Sequence, residues 1–395
     1  MPTPILVLNC GSSSVKYQMI DVDTEEVLAS GLIEKIGLAF GNLTHTTQGL
    51  LYRIDETIKD HTEALALVTR AFDLWGPSLS TVVAVGHRAV HGGERFRATT
   101  LITQDVIDGL TDLSELAPLH NPPGIAGIKA AQKMLPDIPH VAIFDTAFFS
   151  TLPPEAYTYA IDHDTAVKYH IRKYGFHGTS HSYVSKKAAQ FMERDLEGFN
   201  QIVCHLGNGA SISAVQGGVA VDTSMGLTPL AGLVMGTRSG DVDPGLFSYL
   251  QREAGMDSQE VDALLNKQSG LSGLADGSSD FRDLWDKIDA GDEHAQLAHD
   301  VYVHRLISYI GSYMAVLGRV DAIVFTAGVG ENANRTRELI IARLNGLGVR
   351  LDPERNTPRN KVPTLISADD SSIAVLVVPT NEELAMARET FQVIN

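Results

Sequence analysis

Two arginines of this chain lie in glycine-rich loops, where their side chains could bind an anion. Arg88 lies in Gly86-His-Arg-Ala-Val-His-Gly-Gly, just beyond a short apolar run, and Arg238 lies in Gly236-Thr-Arg-Ser-Gly. A guanidinium can bind a carboxylate or a phosphoryl group through two parallel N–H bonds. A surface ion pair would account for either arginine taken alone. Together they indicate a site that handles anions.

A histidine occupies a similar position before a predicted helix. His177 stands in the segment Tyr174-Gly-Phe-His-Gly-Thr-Ser-His. From there an imidazole can donate a hydrogen bond to a transferring phosphoryl group. His177 with His181, and His87 with His91, also have the four-residue spacing of a zinc-binding pair. Neither pair encloses a glutamate or has a third soft ligand nearby, so zinc is not expected.

Three glycine-rich turns follow strand-like runs and are candidates for binding phosphate. Residues 11–14 offer backbone N–H groups and three hydroxyls, with Lys16 two residues beyond. Residues 205–211 repeat the design, and residues 325–332 lead into a helix, which is the usual setting for nucleotide phosphate or ribose. The pattern GxxxxGK[ST] is absent, so none of them is a P-loop. A serine-rich hairpin would explain the first turn alone, but three such turns favour a nucleotide.

Acidic side chains occur where α/β sheets usually hold their ligands. Asp145 directly follows the apolar run 141–144, at the carboxyl end of a predicted strand. Glu382 and Glu383 open the last predicted helix. Thr380 and Glu383 have the spacing of a capping box, which leaves Glu382 to face a metal.

Short β-branched runs alternate with helical patterns, which predicts an α/β fold with mixed sheets and covering helices. The strand-like runs are 5–8, 82–85, 141–144, 201–205, 322–326 and 373–378, and the clearest helical patterns are 63–75, 125–134, 182–192 and 292–317. Residues 6–18 have a pattern of strand, small-residue turn and strand, and residues 202–215 repeat it. In both copies a further short strand follows in the sequence. A duplicated fold explains this repeat; two unrelated hairpins with one turn style are the alternative.

The length of 395 residues exceeds that of one ordinary hydrophobic core, so two domains are expected. We place the first lobe at 1–150 and a nucleotide-binding second lobe at 151–380. The last helix, 381–395, is expected to pack back on the first lobe. Two lobes imply a central cleft.

Charge and cysteine content exclude several classes of protein. The net charge of −17 argues against a nucleic-acid partner, which would favour a basic surface. Cys10 and Cys204 show no CxxC pattern, so we expect neither a disulfide framework nor a zinc site, and a reducing cytoplasm fits best. The chain begins without a signal-peptide pattern and contains no apolar run of about 20 residues. We therefore expect a soluble protein with no membrane partner.

Ten motifs, in order along essentially the whole chain, resemble those of the acetate kinase family, within the superfamily of acetate and sugar kinases, heat-shock chaperones and actin. They are LVLNCGSSSVKYQ, GHRAVHGGERF, LAPLHNPP, FDTAFF, YGFHGTSH, HLGNGAS, DTSMGLTPLAGLVMGTRSGDVDPG, SSDFRDL, FTAGVGEN and TNEELAMARET. The resemblance implies two ribonuclease-H-like, actin-like ATPase lobes around a cleft. It also implies ATP and ADP as co-substrates, Mg²⁺ (with Mn²⁺ as a substitute) and a homodimer.

The resemblance also implies roles for individual residues. It places the catalytic groups at Asp145, His177, Arg238 and Arg88, and the metal ligands at Asn9 and Glu382. Arg88 binds the carboxylate, and the pocket for the alkyl end of the acid is formed by Val90, Leu119, Phe176 and Pro229. The ATP-binding residues are Lys16, His205, Leu206, Gly207, Asn208, Gly209, Asp280, Phe281, Arg282, Gly328, Val329, Gly330, Glu331 and Asn332.

The expected reaction is reversible, direct in-line phosphoryl transfer from ATP to acetate, which gives acetyl phosphate and ADP. Propionate kinase is the alternative with the same mechanism, because the size of the alkyl pocket cannot be read from sequence. A chaperone-like or actin-like ATPase switch is a third reading. It would need a peptide-binding domain or polymerising surfaces, and the sequence shows no such domain.

Overall fold

The computed structural model describes residues 2–118, 120–358 and 361–395. The chain forms two compact units. Unit 1 consists of the chain up to Ser150 together with Asn381–Asn395, and unit 2 consists of Thr151–Thr380. In the described residues, no helix has both the length and the apolar character needed to cross a membrane.

The strands form two sheets, one in each unit. In chain order they are β1 Pro4–Cys10, β2 Ser14–Asp21, β3 Glu26–Glu34, β4 Gly41–Thr47, β5 Leu50–Glu56, β6 Ala84–Ala89, β7 Thr100–Leu101, β8 His140–Phe144, β9 Gln201–Leu206, β10 Ala210–Gln216, β11 Val219–Thr223, β12 Ala322–Thr326, β13 Thr364–Leu365 and β14 Ala374–Val377.

Helices alternate with these strands. They are α1 His61–Trp75, α2 Gln104–Asp112, α3 Asn121–Met134, α4 Pro154–Tyr157, α5 His163–Lys168, α6 Gly178–Phe191, α7 Gly245–Glu253, α8 Ser258–Lys267, α9 Gly270–Leu274, α10 Phe281–Asp289, α11 Glu293–Leu317, α12 Ala327–Asn332, α13 Asn334–Leu344 and α14 Glu382–Ile394.

The two sheets share one strand plan. In unit 1, β3, β2 and β1 are antiparallel neighbours, and β6 and then β8 continue the sheet parallel to β1. In unit 2, β11, β10 and β9 are antiparallel, and β12 and then β14 continue parallel to β9. The repeated sequence pattern therefore corresponds to repeated topology. The predicted fold class, α/β with two actin-like ATPase lobes and mixed sheets, is confirmed.

Alternation along β1 places helices on both faces of the first sheet. Leu6 and Leu8 join the buried cluster that includes residues of α1 and α3. Val7, between them, shares a cavity with Met386 of α14. Since successive strand residues point to opposite faces, α14 packs on the face away from α1 and α3. A side chain at Gly86 in β6 would collide with Thr390, so glycine allows α14 to approach closely.

Helix α11 is a core helix of unit 2. It begins after Asp292, whose side chain accepts hydrogen bonds from two backbone N–H groups, and ends at Gly318, which has a φ of 67°. Its buried positions recur every three or four residues from Ala295 to Leu317, whereas Leu297 and Val316 are exposed. This spacing is that of a helix with one face against a core.

Two local expectations were wrong. The strand predicted at 82–85 is shifted to Ala84–Ala89, because its parallel pairing with β1 begins at Ala84 and continues past the apolar run. The predicted capping box of Thr380 and Glu383 does not form. Asn381 is the N-cap of α14, and its side chain accepts from the N–H of Leu384 at 3.0 Å.

Burial of His299 makes the stability of unit 2 depend on pH. This side chain in α11 is fully buried, its Nε2 lies 3.1 Å from Oγ1 of Thr336, and burial lowers its pKa to about 4. Below pH 6.5 the His299 side chain is protonated in the unfolded chain but stays neutral in the folded unit until the pH approaches 4. Lowering the pH from 7.5 to 5.5 should therefore cost about 1.4 kcal/mol at this residue.

Urea unfolding of a Trp75→Phe protein would measure this loss, since Trp285 is then the sole tryptophan and lies in unit 2. Between pH 7.5 and 5.5, the unfolding free energy of a His299→Gln variant in the same background should fall by about 1.4 kcal/mol less than that of its parent. An equal pH dependence in the two proteins would contradict the prediction.

Candidate active site

A small cavity in unit 1 collects several predicted site residues. It has a volume of about 220 Å³ and is lined by Val7, Asn9, Lys16, Arg88, Glu382, Glu383 and Met386. Asn9 and Lys16 are direct partners in the pairing of β1 with β2, so their side chains share a face of the sheet. Arg88 lies near the end of the neighbouring parallel strand β6, and Glu382 is the first residue of α14. Strand pairing and the returning helix thus bring together residues distant in sequence.

Arg88 is held in place by Asp145, which follows β8. Nε of Arg88 lies 3.1 Å from both carboxylate oxygens, and Nη2 lies 2.6 Å from Oδ2. Asp145 is almost fully buried, and its charge raises the pKa of Arg88 above the usual value. Nη1 of Arg88 makes no hydrogen bond to a described residue. One edge of the guanidinium is therefore fixed by protein while the side chain faces the cavity.

The residues proposed for magnesium have suitable chemistry. Asn9 and Glu382 offer amide and carboxylate oxygens to one cavity, and Mg²⁺ commonly takes one or two protein oxygens and completes its shell with water and substrate phosphate. Burial raises the pKa of Glu382, and the charge of Arg88 opposes that shift. Glu383 instead forms an ion pair with Lys16. In the described residues, no three acidic, histidine or cysteine side chains cluster as a metal cage, so substrate and water would have to complete this site.

Unit 2 contains a larger cavity, of about 960 Å³. Eight of the predicted ATP-binding residues line it: Gly207, Asn208, Asp280, Phe281, Arg282, Gly328, Val329 and Asn332. They come from the turn between β9 and β10, the start of α10, and α12. Glycines at two of these places expose backbone at the cavity wall, and the volume suits a nucleotide.

The six other predicted ATP-binding residues do not line this cavity: Lys16 belongs to unit 1, and the other five are His205, Leu206, Gly209, Gly330 and Glu331. Glu331 has a structural task. Its Oε1 accepts from the N–H of Ala327 at 2.9 Å and from the N–H of Thr380 at 3.1 Å. Ala327 has a φ of 65°, which is unusual for a residue with a side chain. Glu331 therefore holds the turn that presents α12 to the cavity.

His177 and Arg238 both lie beside Gly209. A Cβ atom added to Gly209 would lie 3.5 Å from both Nε2 of His177 and Nη1 of Arg238. His177 has a φ of 60° at the start of α6, and its ring stacks on His205 with centroids 4.4 Å apart. Nη1 of Arg238 donates to the carbonyl of Pro229 at 3.0 Å, and burial lowers the pKa of this arginine. Both predicted phosphoryl-binding groups therefore lie next to the glycine turn.

A chain of hydroxyl groups lies behind His205 and was not predicted from the sequence. Nδ1 of His205 lies 2.8 Å from Oγ of Ser180, which lies 2.8 Å from Oγ1 of Thr380. All three residues belong to unit 2. These hydroxyl groups orient the imidazole of His205, which stacks on His177. The Thr380 side chain thus contacts Ser180 and does not form a capping box.

The apolar residues predicted for the alkyl pocket are distributed over both units. Val90 is half-buried just beyond β6 in unit 1. Phe176 is buried and Pro229 is half-buried in unit 2. Leu119 lies outside the described residues. The size and shape of an alkyl pocket stay predictions.

Several residues of the large cavity were not predicted. Trp285 lies one turn after Phe281 in α10, and the guanidinium of Arg335 lies 3.8 Å from its ring centroid. Arg335 is held by two 2.8 Å hydrogen bonds to Asp289. Tyr302 also lines the cavity, and its buried hydroxyl has no hydrogen-bond partner in the described part of the chain. The four-residue spacing of Phe281 and Trp285 was the available signal.

The duplicated strand plan and the large glycine-lined cavity define the class of protein to which the chain belongs, the actin-like ATPase fold in its kinase form. A comparison with family sequence models assigns the family. Residues 4–388 match the acetokinase family, so the chain belongs to that family and is a phosphotransferase that uses ATP and ADP.

Individual relatives extend over almost the whole chain. The acetate kinase of Corynebacterium efficiens is 52% identical over 391 residues, which cover 97% of each chain. The crystal structure of Porphyromonas gingivalis acetate kinase is 43% identical, covers 100% of both chains and has a TM-score of 0.95. A propionate kinase from Francisella tularensis is 42% identical, covers 99% of both chains and has a TM-score of 0.93.

Trp285 makes nucleotide binding to unit 2 measurable. Because Trp285 lines the large cavity, MgADP should change its fluorescence, and the change should persist in Trp75→Phe and disappear in Trp285→Phe. Titration of both variants with MgADP checks this. A signal that follows Trp75 instead would place the nucleotide elsewhere.

Proposed function

We propose that this protein is an acetate kinase that transfers the γ-phosphoryl group of ATP to acetate, reversibly and without a covalent enzyme intermediate. The observation that carries this proposal is the Arg88 guanidinium, which Asp145 fixes on one edge and which faces a cavity of about 220 Å³. A cavity of this volume suits a small acid, whereas the cavity of unit 2 suits a nucleotide.

The acceptor needs no general base. A simple carboxylic acid has a pKa near that of Asp or Glu and is ionised at neutral pH. Both oxygens of Asp145 already accept hydrogen bonds from Arg88, so this carboxylate is engaged as a partner of the guanidinium. Asp145 therefore acts as a positioning residue for Arg88.

Catalysis must instead stabilise the negative charge that gathers on the transferring phosphoryl group. His177 and Arg238, which both lie beside Gly209, supply hydrogen-bond donors for that charge. Arg238 is half-buried, and this partial removal from water strengthens its electrostatic interaction with a neighbouring anion. Asn9 and Glu382 would hold magnesium, which neutralises charge on phosphate oxygens when it is bound.

Propionate kinase is a second candidate, because a propionate kinase is among the similar structures at 42% identity. Acetate is favoured since curated acetate kinases are about 50% identical over nearly the whole chain. One methylene changes specificity by about 10–200-fold. The homodimer, the cytoplasmic location and the use of Mn²⁺ stay predictions from the family resemblance.

The decisive assay follows ADP formation from MgATP with acetate, propionate, butyrate or no acid, and traps acyl phosphate with hydroxylamine. We expect the highest kcat/KM and a trapped hydroxamate with acetate. A higher kcat/KM with propionate than with acetate would identify a propionate kinase with the same mechanism. ATP hydrolysis without any acid would instead favour the ATPase switch.

Asp145→Asn tests the positioning role. Loss of the charge that fixes Arg88 should raise the KM for acetate and lower kcat/KM for acetate about 10²-fold, since small misplacements of a binding group are costly. The MgADP titration of Trp285 should be unchanged. Asp55→Asn is a matched control, because Asp55 forms an exposed ion pair with Arg53. A fall in kcat at unchanged acetate KM would instead indicate a general base.

A further inference from the structure

A buried row of polar side chains leads through unit 2 to His177. Oγ of Ser213 lies 2.7 Å from Nδ1 of His181, and Nε2 of His181 lies 2.8 Å from Oγ of Ser211. Oγ of Ser211 lies 2.9 Å from Nδ1 of His177. The row therefore ends on Nδ1 of His177, the ring nitrogen opposite Nε2, which lies beside Gly209.

Two regular elements create this row. His177 is the N-cap residue of α6, and His181 follows four residues later near the beginning of that helix. Ser211 and Ser213 are two residues apart in β10 and share a face of the strand. Contacts between these two elements make histidine and serine alternate along the row.

Because the row is buried, the number of protons on its side chains can be stated. Ser211, Ser213 and His181 are all fully buried, so bulk water does not compete for their polar atoms. Burial also lowers the pKa of His181 well below its ordinary value, so that this ring is neutral and carries one N–H. Both of its nitrogens face serine hydroxyls. His181 must therefore donate at one nitrogen and accept at the other.

If the hydroxyl of Ser211 donates within the row, only two directions of donation are possible. In one direction Ser213 donates to His181, His181 donates to Ser211, and Ser211 donates to Nδ1 of His177. A neutral His177 then carries its proton on Nε2. In the opposite direction His177 donates to Ser211 and a neutral ring presents a lone pair at Nε2. Only the first direction provides a donor for an anionic phosphoryl group.

We propose that Ser211 and His181 are positioning residues that hold neutral His177 as its Nε2–H tautomer, so that the ring donates to the transferring phosphoryl group. The proposal rests on the proposed function, because it assigns that group as the ligand of His177. It extends the site by a row of neutral groups behind a catalytic side chain. Such outer partners typically affect activity by about 10–100-fold.

Nitrogen NMR of the full-length protein labelled with ¹⁵N-histidine tests the tautomer without any substitution at the site. At pH 8, above the ordinary histidine pKa of about 6.5, we expect the His177 proton on Nε2. The His177 signals are assigned by their absence in His177→Gln. A proton on Nδ1 in the wild-type protein would overturn the proposal.

Kinetics of Ser211→Ala provide the second readout. This variant should lose the single tautomer of His177, and its kcat should fall about 10–100-fold while the KM for ATP stays within about twofold. Ser185→Ala is the matched control, since Ser185 is an equally buried serine of α6 whose hydroxyl donates to the carbonyl of Ser182. That control should retain the wild-type kcat and tautomer.

The two proposals fail in different ways. A Ser211→Ala protein with wild-type kcat and an unchanged tautomer would overturn the role of the row, while acetate kinase activity would stand. A wild-type protein without acetate-dependent ADP formation would refute the proposed function, whatever the tautomer of His177.

Discussion

Parallel pairing beside an antiparallel hairpin is the constraint on which both units depend. Because the carboxyl ends of parallel strands meet at one edge of a sheet, the residues that follow them are brought together. In unit 1 this edge carries Arg88 near the end of β6 and Asp145 just beyond β8, next to Asn9 of β1. In unit 2 the same edge carries Gly207 after β9 and Gly328 in α12, the short helix that follows β12. One strand plan, used twice, thus positions the residues that are predicted to bind an anion in unit 1 and a nucleotide in unit 2.

Charge balance explains why the small cavity of unit 1 suits a metal as well as an acid. Arg88 is matched by Asp145, and Lys16 is matched by Glu383. Glu382 is left as an additional acidic group, and burial raises its pKa. A divalent cation would change the local charge from one negative to one positive, which favours a singly charged carboxylate. Magnesium and the acceptor acid are thus electrostatically complementary within this cavity.

The sequence predicted the features that local pattern determines and missed those that packing determines. The strand at 322–326 was predicted with its observed limits because a fully buried strand is a continuous apolar run. Thr380 and Glu383 had the right spacing for a capping box, yet both side chains find partners on other elements. Trp285 and Arg335 reach the large cavity of unit 2 from two different helices, which no single motif records. Motifs therefore predicted candidate residues, and tertiary contacts determine which of these side chains line the cavities.

The reaction explains why the hydroxyl of Ser211, and not a carboxylate, contacts Nδ1 of His177. A carboxylate behind an imidazole favours proton uptake by the ring, as a general base requires. The acceptor here is already an anion, so a base is not needed, and another negative charge would oppose the incoming phosphoryl group. A serine hydroxyl can orient the ring and fix its proton without adding charge. The neutral row of Ser211, His181 and Ser213 therefore suits a histidine whose task is to donate a hydrogen bond.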